Sequence, residues 1–195
     1  MSCVAIIGLG NPGSRYSNTR HNLGFWLLNK FANSHDISFQ AKPKFCSEIS
    51  KFILNDRSCM LVKPLSFMNQ SGKFLHSLLL NNGCDIQESI VVHDELTLSV
   101  GQMKISKGRS SAGHNGVASV FAALGSTITR LRLGIGQKES SHMSLSDYVL
   151  SSFNPHEAEL LEARSNHFLA ALKVLLTNGV DQAMNFYNQP LPDRI

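Results

Sequence analysis

Val4-Ala5-Ile6-Ile7-Gly8-Leu9-Gly10-Asn11-Pro12-Gly13 is the stretch whose reading decides the architecture. Its first residues are apolar and β-branched and run into glycine, so Val4–Leu9 reads as a short buried strand. The glycines at 8, 10 and 13 satisfy G-x-G-x-x-G, the spacing of a dinucleotide-binding turn. That turn needs a helix to begin inside it, so that the helix N-terminus meets the pyrophosphate. Here Pro12-Gly13 turns the chain instead, and the helical pattern starts only near Asn22 or Leu23. The acidic residue that should end a second strand is Asp36, which follows a helix. The glycines therefore make a tight strand-to-loop turn, which sets Asn11 at the mouth of a cleft beyond a strand end.

Working outward, Phe45–Leu54 and Cys59–Val62 flank the polar Asn55-Asp56-Arg57-Ser58 and read as a hairpin. Ser89–Val92, Gln102–Ile105 and Arg130–Gly136 are further strands. Helical patterns lie between them. Leu23–Asn33 puts Leu23, Trp26, Leu27 and Phe31 on one face, Phe74–Leu80 stops before Asn82-Gly83, and Val117–Leu124 stops at Gly125. The longest helix starts at Pro155, with Asn154 as its cap and Glu157 placed for a capping box, and ends at Gly179. Asp181 is expected to cap a last helix to about Asn188, and Ser140–Ser144 to form a mobile loop. Strands alternating with helices predict a single α/β domain over residues 1–188. It would hold a twisted mixed sheet with helices on both faces and the C-terminal helices beside the cleft. The tail, 189–195, is expected to be disordered.

Composition narrows the function. A chain of 195 residues can bury about 70% of its unfolded surface and needs no disulfide or metal staple. A hydrophobic fraction of 43% and a mean hydropathy of −0.05 fit a soluble globular protein, and no apolar run approaches the ~18 residues of a membrane span. The first apolar run has no basic region before it, so it reads as a strand rather than a signal peptide. Cys3, Cys46, Cys59 and Cys84 have neither C-x-x-C nor zinc spacing, and reduced thiols in a cytoplasmic protein are expected. The net charge of +4 permits a polyanionic partner without requiring one. A monomer is expected, because no heptad pattern is present.

Three histidines sit at element junctions: His21 before a helix, His93 at the end of a strand, and His114 at the start of another helix. In open α/β sheets clefts form outside the carboxyl ends of strands, so His21 and Asp94 could meet there. An aspartate accepting from one imidazole nitrogen fixes the tautomer and raises the basicity of the other, which makes a general base able to activate water. The alternative for Asp94 is a helix cap or a buried ion pair, and for Asn69 a cap on the helix that follows it. Asn11, Asn69 and Asn115 offer amides that donate and accept without titrating, suited to carbonyls, riboses and phosphates. No G-x-S-x-G, S-x-x-K or H-E-x-x-H is present. His93 and Asp94 are adjacent on a strand and would point to opposite faces, so no metal is expected.

Taken together these segments resemble the bacterial-type peptidyl-tRNA hydrolase family. The matching pieces are Gly8–Gly13; Tyr16 with Thr19-Arg20-His21-Asn22-Leu23-Gly24; Lys63-Pro64 with Phe67-Met68-Asn69-Gln70-Ser71-Gly72; His93-Asp94-Glu95-Leu96; Gly113-His114-Asn115-Gly116; and Arg130–Gly136, in the family's order and spacing. The resemblance implies an esterase needing no metal or cofactor, which cleaves the bond between a peptide and the 3′ ribose of tRNA and recycles tRNA from aborted translation. It implies His21 as the general base, Asp94 as its orienting partner, and Asn11 as the reader of the peptide backbone. Tyr16, Phe67, Asn69 and Asn115 would line the site for substrate and the tRNA 3′ end, with His114 close by. The partner would be peptidyl-tRNA, engaged at its 3′ end and acceptor stem, with no membrane involved.

A non-catalytic RNA-binding relative is the alternative. Lys104, Lys107, Arg109, Arg132 and Lys138 are candidates for phosphate contacts. Tyr16 and Phe67 could stack on unpaired bases, although Phe67 reads equally as core packing. The chain departs from the family pattern where Arg109, Ser110 and Ala112 replace glycines, and where Gln137-Lys138 replaces a basic residue and proline. A side chain at any of the first three positions that keeps φ above zero would be strained by roughly 1–3 kcal/mol.

Overall fold

The computed structural model describes residues 3–108, 110–138 and 143–189. Residues 140–142 of the expected loop, Arg109, and the tail from 190 onward lie outside the described residues. Among those described, seven strands form one sheet and six α-helices pack around it. The strands are β1 (Val4–Gly8), β2 (Gln40–Lys42), β3 (Ser47–Leu54), β4 (Arg57–Pro64), β5 (Ile90–Glu95), β6 (Met103–Lys107) and β7 (Thr129–Gly134). The helices are α1 (Leu23–Ser34), α2 (Leu75–Asn81), α3 (Asn115–Leu124), α4 (Leu145–Val149), α5 (Pro155–Asn178) and α6 (Val180–Tyr187).

The sheet order is β2-β3-β4-β1-β5-β7-β6. β4, β1, β5 and β7 run parallel, while β2, β3 and β6 are antiparallel to their neighbours. This is the mixed sheet expected. The β3–β4 turn is tighter than the four polar residues suggested. Leu54 pairs with Arg57, and Asn55 and Asp56 both take positive φ, 47° and 61°, as a two-residue hairpin turn of matching twist requires. The three-residue edge strand β2 and the five-residue helix α4 were not expected.

Alternation along the strands builds two cores. Val4 and Ile6 of β1, with Ile90 and Val92 of β5, pack on α1 and α5 through Leu27, Phe31, Phe168 and Leu172. Ala5 and Ile7, with Val91, pack on the other face against α2 and α3 through Leu78, Leu79, Val117 and Val120. By the same alternation Asp94 falls on the α1 face and His93 on the α3 face.

Asn154 and Glu157 make the full capping box expected at the start of α5. Asp181 does not cap α6. Gly179, at φ 86°, both ends α5 and caps α6, which leaves Asp181 in the first turn. Past α6, the Asn188 side chain bonds to the Ile105 N–H and C=O at 2.7 and 2.9 Å and occupies the open edge of β6.

The junction that places the cleft is the crossing of α1 over β1 and β5. A Cβ on Gly24 would lie 2.4 Å from both the Leu9 nitrogen and the Val92 carbonyl oxygen, which are backbone atoms and cannot move aside. Gly24→Ala should therefore cost about 3 kcal/mol through overpacking. The check is urea unfolding, and a loss below about 1 kcal/mol would mean that the crossing is not close-packed.

Candidate active site

Just past the carboxyl end of β1, Leu9 donates to the Val92 carbonyl at 2.9 Å and the chain turns away from the sheet. No helix begins in the glycine turn. Two single-turn 3₁₀ segments, Ser14–Tyr16 and Arg20–Asn22, come before α1, so the feature that defines a dinucleotide site is missing here, as expected. Asn22 clamps the loop. Its Oδ1 accepts from the Asn11 N–H and its Nδ2 donates to the Asn11 carbonyl, each at 2.9 Å.

The Asn11 side chain is oriented by chemistry. Its Oδ1 accepts from the Met68 N–H at 2.8 Å. A backbone N–H can only donate, so the atom facing it is the oxygen, and Nδ2 is left as the group offered to the cleft.

Asp94 is the hub. It is the penultimate residue of β5, which continues to Glu95 rather than stopping at Val92. His21 Nδ1 sits 3.0 Å from both of its carboxylate oxygens, and His114 Nε2 sits 3.0 Å from Oδ1. Burial works against the charge, but the two imidazoles outweigh it and hold the carboxyl below its ordinary range.

The tautomers follow. His114 caps α3, its Nδ1 accepting from the Gly116 and Val117 N–H groups at 3.1 and 3.2 Å. Nδ1 is thus a lone pair, and neutral His114 carries its proton on Nε2, which donates to Asp94. His21 donates Nδ1–H to the same carboxylate and keeps a bare Nε2 in the cleft. His93 turns to the opposite face, where its Nδ1 donates to the Asp94 carbonyl at 2.6 Å. Burial, reinforced by His114, pushes His93 down to about 3, so it stays neutral and does not compete for Asp94.

The donor atoms of His21, Asp94 and His114 lie within 4.8 Å of one another. They are committed to each other, however. A metal on His114 Nε2 would need the proton on Nδ1, which would break both cap bonds on α3. The donor set does not suit an ion.

Around this hub lies a cleft of about 480 Å³, lined by every expected site residue: Asn11, Tyr16, His21, Phe67, Asn69, Asp94, His114 and Asn115. Phe67 is 55% exposed at its rim, so the core-packing reading is overturned. Asn69 caps no helix. It lies within the 3₁₀ turn Met68–Gln70 at the cleft, while Phe74 occupies the N-cap of α2. The basic candidates divide. Arg132 is tied to Glu95 at 2.9 Å and Lys138 donates to the Met143 carbonyl, whereas Lys104 and Lys107 are exposed. Of the replaced glycines, Ala112 takes the left-handed conformation, φ 49°, while Ser110 does not.

Two parts of the wall were missed from sequence. α4 contributes Leu145, Ser146 and Val149, and its C-cap Leu150 joins them. Behind it, the Arg20 guanidinium reaches both Glu157 oxygens at 3.0 and 2.7 Å and the Ile135 carbonyl at 3.0 Å, between the rings of Tyr148 and Phe153. That ties the ends of β7, α4 and α5 to the residue preceding His21. α4 thus lines the cleft and the first turn of α5 backs it through Arg20, whereas no residue of α5 or α6 lines it.

Comparison with known proteins bears on this geometry. A family model described as peptidyl-tRNA hydrolase matches residues 5–194. The peptidyl-tRNA hydrolase of Dichelobacter nodosus is 38% identical over 182 residues, 93% of this chain and 96% of that one. That of Fervidobacterium nodosum is 38% identical over 185 residues, 95% and 96% of the two chains. The crystal structure of peptidyl-tRNA hydrolase from Acinetobacter baumannii superposes with a TM-score of 0.89 at 32% identity, covering 95% of this chain and 94% of that one.

A carboxyl held below its ordinary range contributes stability above the unfolded-state value of about 4 and loses it as pH falls. Unfolding free energy should therefore drop from pH 5 towards acid, and Asp94→Asn should show a shallower drop. Equal slopes in urea titrations of the two proteins would contradict a buried, ionised Asp94.

Proposed function

The chain belongs to the peptidyl-tRNA hydrolase family, and on that premise we propose that it cleaves the ester joining a peptide to the 3′ ribose of tRNA. The carrying observation is the His21–Asp94 pair, whose tautomer leaves a bare nitrogen in the cleft beside a donor amide. His21 Nε2 takes a proton from water as the water oxygen attacks the ester carbonyl. As the tetrahedral intermediate collapses, the bond to the ribose oxygen breaks and the imidazolium returns the proton to the 3′-hydroxyl. Asp94, fixed by His114, accepts from Nδ1–H throughout and stabilises the imidazolium.

Asn11 Nδ2 donates to a carbonyl of the peptide. A free aminoacyl ester has no peptide carbonyl next to the ester, so this contact separates blocked from unblocked substrate. Tyr16 and the exposed Phe67 offer flat faces to the unpaired 3′-terminal bases, and Asn69 and Asn115 hydrogen-bond at the same end. The exposed Lys104 and Lys107 remain the candidates for phosphate contacts, and binding weakens with salt. On the same reading no metal takes part and the protein acts as a monomer. Among the described residues no helix is long and apolar enough to cross a membrane.

The test is release of free tRNA from an N-blocked aminoacyl-tRNA, with EDTA present, beside the unblocked ester. Only the blocked ester should be cleaved. His21→Ala should lose 10²–10⁴-fold in turnover while folding normally, and Asp94→Asn should lose less. Full turnover by His21→Ala would overturn the mechanism.

Asn11→Asp keeps the acceptor for the Met68 N–H but removes the donor. It should slow cleavage of the blocked ester about tenfold or more without a matching loss of stability. Unchanged kinetics would remove Asn11 from substrate recognition.

A further inference from the structure

Cys3 and Cys84 lie at the end of the sheet away from the cleft. Cys3 directly precedes β1, and Cys84 lies in the connection from α2 to β5. The two form an isolated parallel bridge. Cys3 donates its N–H to the Gly83 carbonyl at 3.1 Å and accepts from the Asp85 N–H at 3.0 Å, so its backbone is pinned on both sides of Cys84. Adjacent strands run about 4.8 Å apart, inside the Cα window of about 4.4–6.8 Å that a disulfide tolerates. Both side chains belong to the core on the α2–α3 face, so the sulfurs point the same way. Cys59, the nearest other thiol in the sheet, pairs beside Val4 but packs into the core on the opposite face.

We propose that Cys3 and Cys84 are a peroxide-oxidisable thiol pair that closes to a reversible intramolecular disulfide at the end of the sheet remote from the cleft. The Cys3 sulfur attacks one oxygen of hydrogen peroxide. The O–O bond breaks, the departing hydroxide takes up a proton as water, and Cys3 becomes a sulfenic acid. The Cys84 sulfur then attacks the Cys3 sulfur, the S–O bond breaks, and a second water leaves. Two thiols are oxidised by two electrons and one peroxide is reduced to two waters.

Cys3 is the attacking group. The Cys84 thiol beside it, with Ser58 and Lys51 nearby, holds the Cys3 thiol below its ordinary range against the effect of burial. The same contact and burial push Cys84 up. Each residue keeps about 6% exposure, a narrow approach suited to a small oxidant. The pair is separated from Asn11 by the whole length of β1, so closure leaves hydrolysis intact.

The experiment treats the native, fully reduced chain with hydrogen peroxide, removes the oxidant, alkylates remaining thiols in denaturant, and reads intact mass and a peptide map. The expected result is loss of two hydrogens, one Cys3–Cys84 crosslink, alkylation of Cys46 and Cys59, and full reversal by dithiothreitol. Cys84→Ser should form no crosslink and should trap a dimedone-reactive sulfenic acid at Cys3. A Cys46→Ser/Cys59→Ser double variant should still close. Four alkylated thiols after treatment, a crosslink through another cysteine, or added oxygen at Cys46 or Cys59 ahead of Cys3 would each overturn the proposal.

Discussion

A carboxylate buried at the end of a parallel strand has to be answered by donors, and the site is organised around that requirement. Asp94 is 3% exposed, and an uncompensated charge there would cost several kcal/mol. Its neighbours on β5 cannot answer it, because His93 turns to the opposite face and Glu95 is itself acidic, so the donors must come from elsewhere in the chain. One is His21, delivered from the loop after β1; the other is His114, delivered from the N-terminus of α3. Because α3 uses the other nitrogen of His114 as its cap, the direction of that hydrogen bond is set by helix geometry. The charge of Asp94 then sets the tautomer of His21. Electrostatic need at one buried group thereby becomes the chemical form of another that faces the cleft.

The scaffold keeps these donors in place through close backbone approach and one buried guanidinium. Gly24 lets α1 touch the carboxyl ends of β1 and β5, which brings the 3₁₀ turn carrying His21 over Asp94. Arg20 holds the same turn from behind. Burial raises the Glu157 carboxyl, but Arg20 and the Asn154 N–H outweigh it and hold it below its ordinary range. Glu157 thus serves both the capping box of α5 and the rear wall of the site. His21 is held between two carboxylates of different purpose, one touching it and one acting through the residue before it.

Much of this was legible in the sequence. The strands and helices that build the sheet carry clear periodicity, and Asn154-Pro155-His156-Glu157 states its own helix start. Asn11, His21 and Asp94 were legible because each stands where a strand ends or a helix begins. What was hidden has physical causes. Arg20 meets Glu157 across 137 positions, a contact no local pattern encodes. β2 is three residues long, none of them buried, and has no apolar alternation to read. α4 is short, yet Ser144 caps it by accepting from the Asp147 N–H, so the S-x-x-D signature was present. Asp181 misled because Gly179 can serve two helices at once. The resemblance to a family named the substrate, which hydrogen-bond geometry alone does not.

The central claim is that Asp94 and the α3 cap together impose opposite tautomers on two touching imidazoles, whose rings lie 4.8 Å apart. Nitrogen-15 NMR of the histidine side chains at neutral pH reads this directly. The account predicts His21 protonated at Nδ1 and bare at Nε2, and His114 protonated at Nε2 and bare at Nδ1. A His21 protonated at Nε2 would leave no lone pair facing the cleft and would contradict the account.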